Sequence, residues 1–165
     1  MLPIKRSNHN IMAYRTFSLY NIDAPVGKGA VNCASDVRLI QGLLALVCTE
    51  PRMKPYMEKL CVDKKLGKLP ALPMANGSYN PDTEFWILAF QYMVNERLRV
   101  KIDGVIDPMP KDNLSLELKA GPGRQYALAH LNKLALFYNP RGFVDLGQSV
   151  GAPYLQTLDG QRVSV

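Results

Sequence analysis

The chain is poor in the residues that carry most metal and nucleophilic chemistry. Its three cysteines, Cys33, Cys48 and Cys61, show no CxxC spacing, which argues against a structural zinc site. So small and odd a set reads as buried free thiols, with a Cys48–Cys61 disulfide as the alternative in an oxidising compartment. Histidine is scarcer still, with only His9 and His130. A thiol nucleophile would need Cys33 or Cys48 brought to His130 beside an orienting third group, and no motif points to that arrangement. Glu84, Glu96, Asp103 and Asp107 supply carboxylates, but each stands in a cap, surface or turn context. Glycoside hydrolysis needs a pair flanking a cleft. The expectation is a protein that is not an enzyme and needs neither metal nor cofactor.

Long apolar runs are also missing. No stretch approaches the roughly 18–20 apolar residues that span a bilayer, so no membrane span is expected. The opening MLPIKRSNHNIMAYRTF is basic and lacks the apolar core of a secretory signal. The chain is thus expected in the cytoplasm as synthesised, reaching the periplasm only through a signal-independent secretion system. Val26-Gly27-Lys28-Gly29 is a turn-rich element, because a phosphate loop needs the longer GxxxxGK[ST] spacing.

What the chain does have is positive charge: 20 Lys and Arg against 14 Asp and Glu, net +6. Such a field favours acidic partners, although an ordinary soluble surface can carry it too. The cations fall in separate groups, Lys5–Arg6, Arg52–Lys68 and Arg97–Lys101. None is a basic cluster interleaved with aromatics of the kind that grips single strands, so no specific nucleic acid partner is expected.

Periodicity places three main helices in one domain of 165 residues. Ser35 and Asp36 suit a helix start, and Val37, Ile40, Leu44 and Val47 follow at spacings of three and four, with Leu43 widening the stripe. Pro51 is expected to end that helix. A short helix over Pro55–Lys64 brings Tyr56, Met57 and Leu60 to one side. Asn80-Pro81-Asp82 reads as a cap, a first-turn proline and a dipole-matched acid. Behind it, Trp86, Ile87, Phe90, Met93 and Val94 make the helix apolar nearly all round, and hence central. Asp103-Gly104 is a turn signal. Residues 114–118 alternate like a strand or form a helical turn, and Gly121-Pro122-Gly123 breaks the chain. Ala127, Leu131, Leu134 and Tyr138 mark a third helix over 124–138, stopped by Asn139-Pro140. Asp159-Gly160 suggests a small C-terminal β-hairpin.

These pieces resemble, in order, the peptidoglycan-binding domain, a three-helix module that docks on bacterial cell wall. SDVRLIQGLL is similar to that family's opening helix, and NGSYNPDTEFWILAFQ to its "DG-aromatic-G-x-x-T…FQ" signature. IDGVIDP resembles its second turn, and GRQYALAHL its closing helix. GKGAVNCASDVRLIQ is similar to a Gram-negative branch with a Gly-rich arm before "DV…Q…L" and a second turn of DG-x-IDP form. The likeness covers about residues 27–136, with insertions at 51–75 and 107–120. It implies a mainly α fold with a three-helix core: an irregular arm at 1–26, the core at 27–138 and a C-terminal extension at 139–165. Within it Gly77 serves a sharp turn, Thr83 a first-turn backbone bond, Phe90 the core, and Gln91 a bond to a neighbouring loop. Departures are Asn76 and Asn80 for Asp and Gly, and Trp86 where a small residue is usual. Such bulk must displace a neighbour or open towards an insertion.

The resemblance implies a non-catalytic module that binds peptidoglycan. Aromatic faces bind sugar rings, so Tyr79, Trp86 and Tyr92 are candidate ligand residues, against core or turn packing. Arg97 and Arg99 could meet peptide-stem carboxylates, with Asp103 beside them in the second turn. A wall-active enzyme normally carries a separate catalytic domain, and the residues outside the likeness are too few for one. The alternative is an interaction adaptor, or an effector-associated factor of a bacterial secretion system, that keeps the fold without binding sugar and has a protein as partner.

Overall fold

The structure, a computed structural model, describes residues 18–110, 119–121, 124–149 and 155–157. His9, the 114–118 stretch and the Asp159-Gly160 turn lie outside them. Five helices organise the described chain: α1 (Ala34–Val47), α2 (Lys54–Asp63), α3 (Pro81–Asn95), α4 (Ala127–Tyr138) and α5 (Pro140–Ser149), with a 3-10 turn at Pro51–Met53 leading into α2. The fold is mainly helical. Short strands pair antiparallel between the helices: β1 (Ser18–Tyr20) with β6 (Leu155–Thr157), β2 (Val26–Gly27) with β3 (Val105–Ile106), and β4 (Lys119–Gly121) with β5 (Arg124–Gln125).

The apolar stripe of α1 is buried as its spacing predicts, from Val37 and Ile40 to Leu44 and Val47, and packs against α3, α4 and α5. Its start differs from expectation. Ser35 does not cap it; Cys33 holds the cap position without a side-chain bond. Asp36 instead turns back to accept from the backbone N–H of Ala24 at 3.0 Å and Asp23 at 3.3 Å, which ties the preceding arm to the helix. The helix also stops at Val47, short of Pro51. In α3 the expected cap forms: Asn80 Oδ1 accepts from Thr83 N–H at 2.8 Å, with Pro81 following. Trp86, Ile87, Phe90, Met93 and Val94 are all buried, and a large apolar side chain contributes roughly 1.5–3 kcal/mol when buried.

Two parts of the chain expected to be peripheral belong to the core. Leu19, Tyr20 and Ile22 of the arm are buried, and two asparagines act on them as surrogate strands. Asn132 accepts from Tyr20 N–H at 2.7 Å and donates to Tyr20 O at 2.9 Å. Asn21 exchanges the same pair of bonds with Met109, both at 2.8 Å. Beyond Tyr138 the chain enters α5, where only an extension and a hairpin were expected. Asn139 ends α4 and caps α5, accepting from Gly142 N–H at 2.9 Å, while Pro140 takes the first position, where its missing N–H costs nothing. Tyr20 reaches this helix too, donating to Phe143 O at 2.7 Å and accepting from Gly147 N–H at 2.8 Å. Leu155–Thr157 pairs with β1, so its described partner is the arm.

Two turns are built the same way. Gln41 in α1 accepts from Asn76 and Gly77 N–H at 3.1 and 2.9 Å and donates to Ser78 O at 3.0 Å. Gln91 in α3 accepts from Asp103 and Gly104 N–H at 3.2 and 2.9 Å and donates to Val105 O at 2.8 Å. In each turn the first residue's own side chain also accepts from the third residue's N–H. The glycines sit at φ 79° and 73°, where a side chain would be strained.

Between these turns β2 crosses β3 at close range. A Cβ on Gly27 would lie 2.3 Å from Gly104 O and 2.6 Å from Val105 Cα. Both are backbone atoms that cannot swing aside. Gly27→Ala is therefore expected to cost about 3 kcal/mol, whereas Gly67→Ala, with nothing within 4 Å, should stay within about 0.5 kcal/mol of wild type. Urea unfolding of the two variants checks this, and equal midpoints would refute the close-approach argument.

Candidate functional site

A cleft of about 360 Å³ opens where α2, the end of α3 and α4 meet. Its walls come from three parts of the chain. The 3-10 turn and α2 supply Arg52 and Tyr56, the end of α3 supplies Met93, Val94 and Arg97, and α4 supplies His130 and Lys133. Helical spacing explains the last pair, since residues three apart share a face. Met93 and Val94 are buried and form an apolar floor, while Arg97 and Lys133 stand exposed at the rim.

The charges are unevenly satisfied. Arg52 donates to Glu50 Oε1 at 2.9 Å and to the Tyr138 hydroxyl, with its guanidinium 5.7 Å from the Tyr138 ring centre. Burial works against the Glu50 charge, yet the side chain and backbone of Arg52 and the Tyr138 hydroxyl together outweigh it, and the carboxyl stays below its ordinary range. Tyr56 is held by Glu96, which raises the phenol pKa. Arg97 and Lys133, by contrast, form no salt bridge among the described residues. His130 is engaged within the fold and buried. That burial, helped by the Lys133 charge, pushes its pKa down to about 4, so the imidazole is neutral near pH 7. The cleft thus offers two unpaired cations over an apolar floor, beside an aromatic ring.

Of the candidate ligand residues named from the sequence, only Arg97 lines this cleft, beside Glu96 and His130. Trp86 offers no open face: it is 2% exposed, and its indole N–H donates to Ala71 O at 2.7 Å beneath the 51–75 insertion. The indole is accommodated by the loop folding over it. Tyr79 is half-buried in the first turn. Its hydroxyl finds no hydrogen-bond partner among the described residues, and burial pushes its pKa up to about 12. Tyr92 and Arg99 are exposed outside the cleft. Asp103 serves its turn, accepting from Val105 N–H at 3.0 Å and pairing with Lys101 at 2.6 Å. Burial opposes its charge, but the Lys101 and Val105 bonds hold the carboxyl below its ordinary range.

The thiols are all free: Cys48 buried, Cys61 half-buried and Cys33 exposed rather than buried as expected. Burial alone raises the Cys48 pKa far above its ordinary value, leaving an inert thiol. Among the described residues no three His, Cys, Asp or Glu side chains are placed to hold a metal ion, and no helix is long and apolar enough to cross a membrane.

Comparison with protein families, curated proteins and solved structures finds no match for the chain.

Proposed function

We propose that the protein is a non-catalytic module that binds bacterial peptidoglycan, taking a carboxylate of the peptide stem in the α2–α3–α4 cleft. The observation that carries this reading is the pair Arg97 and Lys133, unpaired among the described residues, above the apolar floor of Met93 and Val94. A carboxylate gains charge-assisted bonds from such cations, and the apolar part of a stem residue fits the floor. The two glutamine-held turns support the reading from another side, since the resemblance implies turns at those places in that order. The aromatic role moves from Trp86 to Tyr56, which lines the cleft and is only partly buried.

The second reading, an adaptor or effector-associated factor of a secretion system with a protein as partner, rests on a different observation. Phe137 and Tyr138 stack edge-to-face at the end of α4 and are 75% and 39% exposed. An exposed aromatic pair is a common anchor in protein interfaces.

Co-sedimentation with isolated sacculi separates the two. The wild type is expected to pellet at low and moderate salt. Arg97→Ala and Lys133→Ala should each weaken retention about tenfold, the usual worth of one charge-assisted bond. Tyr92→Ala and Arg99→Ala, outside the cleft, should leave it unchanged. No pelleting, or pelleting that salt abolishes and the cleft variants do not alter, would overturn the wall-binding reading.

A further inference from the structure

The insertion that covers Trp86 carries a property that wall binding does not use. From Val62 to Met74 it presents five large apolar side chains to solvent: Val62 at 75% exposure, Leu66 at 40%, Leu69 at 46%, Leu72 at 53% and Met74 at 74%. One exposed leucine is ordinary, but such a concentration in so short a stretch marks an interaction surface. The segment is also held in place. Ala71 O accepts the Trp86 indole N–H at 2.7 Å, Lys64 reaches Glu84 at 3.7 Å, and Leu66 N–H donates to Cys61 O at 2.8 Å. The apolar side chains are therefore displayed by a fixed loop. They are not left out by a failure to pack.

The charge around them is predominantly positive. Lys59, Lys64, Lys65 and Lys68 are exposed, and across 51–75 six cations face two acids, Glu58 and Asp63. This segment thereby holds four of the chain's net six positive charges. Beneath the loop, a hollow of about 590 Å³ is lined by Leu66, Leu69 and Phe85, by Lys64 and Lys68, and by Asp82 and Glu84, and Glu84 is already paired with Lys64. Lysines set beside apolar tips complement a surface that is anionic outside and apolar just below.

We propose that residues 62–75 form a docking element for anionic lipid bilayers, with the leucines entering the boundary of headgroups and acyl chains while the lysines meet lipid phosphates. Two features favour a bilayer over a protein as occupant. Val62 closes α2, but the other four apolar side chains sit on a loop with neither strand edge nor helix face for a partner's backbone to align with. They also stand three residues apart at 66, 69 and 72, separated by Gly67, Lys68, Pro70 and Ala71. A fluid interface accepts such tips in any arrangement, whereas a protein partner must match their shape. This inference is independent of the cleft, which shares no lining residue with the hollow.

Vesicle co-sedimentation tests it, using phosphatidylcholine alone and phosphatidylcholine with phosphatidylglycerol. The wild type should partition at least tenfold better onto the anionic vesicles. Each of Lys65→Gln and Lys68→Gln should reduce this about fivefold. Leu69→Asp with Leu72→Asp should abolish the fraction that survives moderate salt. These side chains are exposed, so thermal unfolding should be unchanged, and Arg97→Ala, which weakens sacculus retention, should bind vesicles as wild type does. Equal, weak recovery on both vesicles overturns the proposal. So does anionic binding that the leucine changes leave intact, because that is charge attraction alone. Capture by an acidic protein with no vesicle binding also overturns it, and would assign the loop to a protein partner.

Discussion

Gln91→Leu is expected to destabilise the protein by about 4 kcal/mol, and Gln41→Leu by about half as much. The substitution keeps a side chain of comparable volume, one atom shorter, while removing every hydrogen bond the glutamine makes. In the Gln91 variant the Asp103 and Gly104 N–H groups and Val105 O lose their partner together. Gly104 is buried and its neighbours are half-buried, so water replaces little of what is lost, and each orphaned buried group costs about 1–3 kcal/mol. Gln41 makes as many bonds, but Asn76 and Ser78 are exposed and Gly77 is half-buried. Solvent can there take over most of the turn. For a chain of this length 4 kcal/mol corresponds to a fall of about 8–16 °C in melting temperature, which calorimetry resolves easily. Equal falls for both variants would mean that burial does not set the cost.

This pair of turns also shows how far the sequence speaks for the structure. Gln91 and its turn are 13 residues apart, so the helix, the Asp-Gly signal and the bond between them are all local. The same device at Gln41 spans 36 residues because α2 and the loop after it intervene, yet the residues of the turn still announce it. Apolar spacing likewise marks α1, α3 and α4, since one face of each is buried. What could not be read is long-range. No local pattern says that residues 18–20 pair with 155–157, or that Asn132 completes the arm's hydrogen bonds across 112 residues. Helix α5 was hidden for a different reason. Asn139-Pro140 reads equally as a stop and as a cap with its first residue, and only Phe143 and Leu146 are buried in it. Gly142, which normally argues against a helix, lets the helix pack close to the side chains of Leu46 and Asn139, each 2.8 Å from where a Cβ would lie. The cleft suffers from both difficulties. Arg97 was legible beside the second turn, but Arg52, Tyr56 and Lys133 come from separate segments that only the packed helices bring together.

His130→Gln is expected to abolish most of the protein's acid sensitivity between about pH 6.5 and 4. The histidine is 5% exposed on α4, and burial together with the Lys133 charge lowers its pKa to about 4. An unfolded histidine titrates near 6.5. Between those values the unfolded chain binds a proton that the native chain refuses. Stability is therefore fully present above about pH 6.5 and is lost as pH falls towards 4. The shift corresponds to about 3 kcal/mol over the window. Other groups titrate with different signs or ranges. Asp103 and Glu50, held below their ordinary values, stabilise above the carboxylate range and lose their contribution only lower down. Asp107, raised by burial and by Asp103, works in the opposite direction to His130. The difference between wild type and His130→Gln isolates the histidine from all three. Urea unfolding at about pH 7 and about pH 4.5 should show the wild type losing about 2–3 kcal/mol and the variant far less. If both lose the same amount, another group carries the acid response. The same depression fixes the charge of the cleft: Arg52, Arg97 and Lys133 supply its positive field while His130 stays a neutral wall. Sacculus binding by the folded protein should then be flat from about pH 8 to about pH 5.5, with no rise at the pH where an ordinary histidine would add a third cation to the unpaired pair.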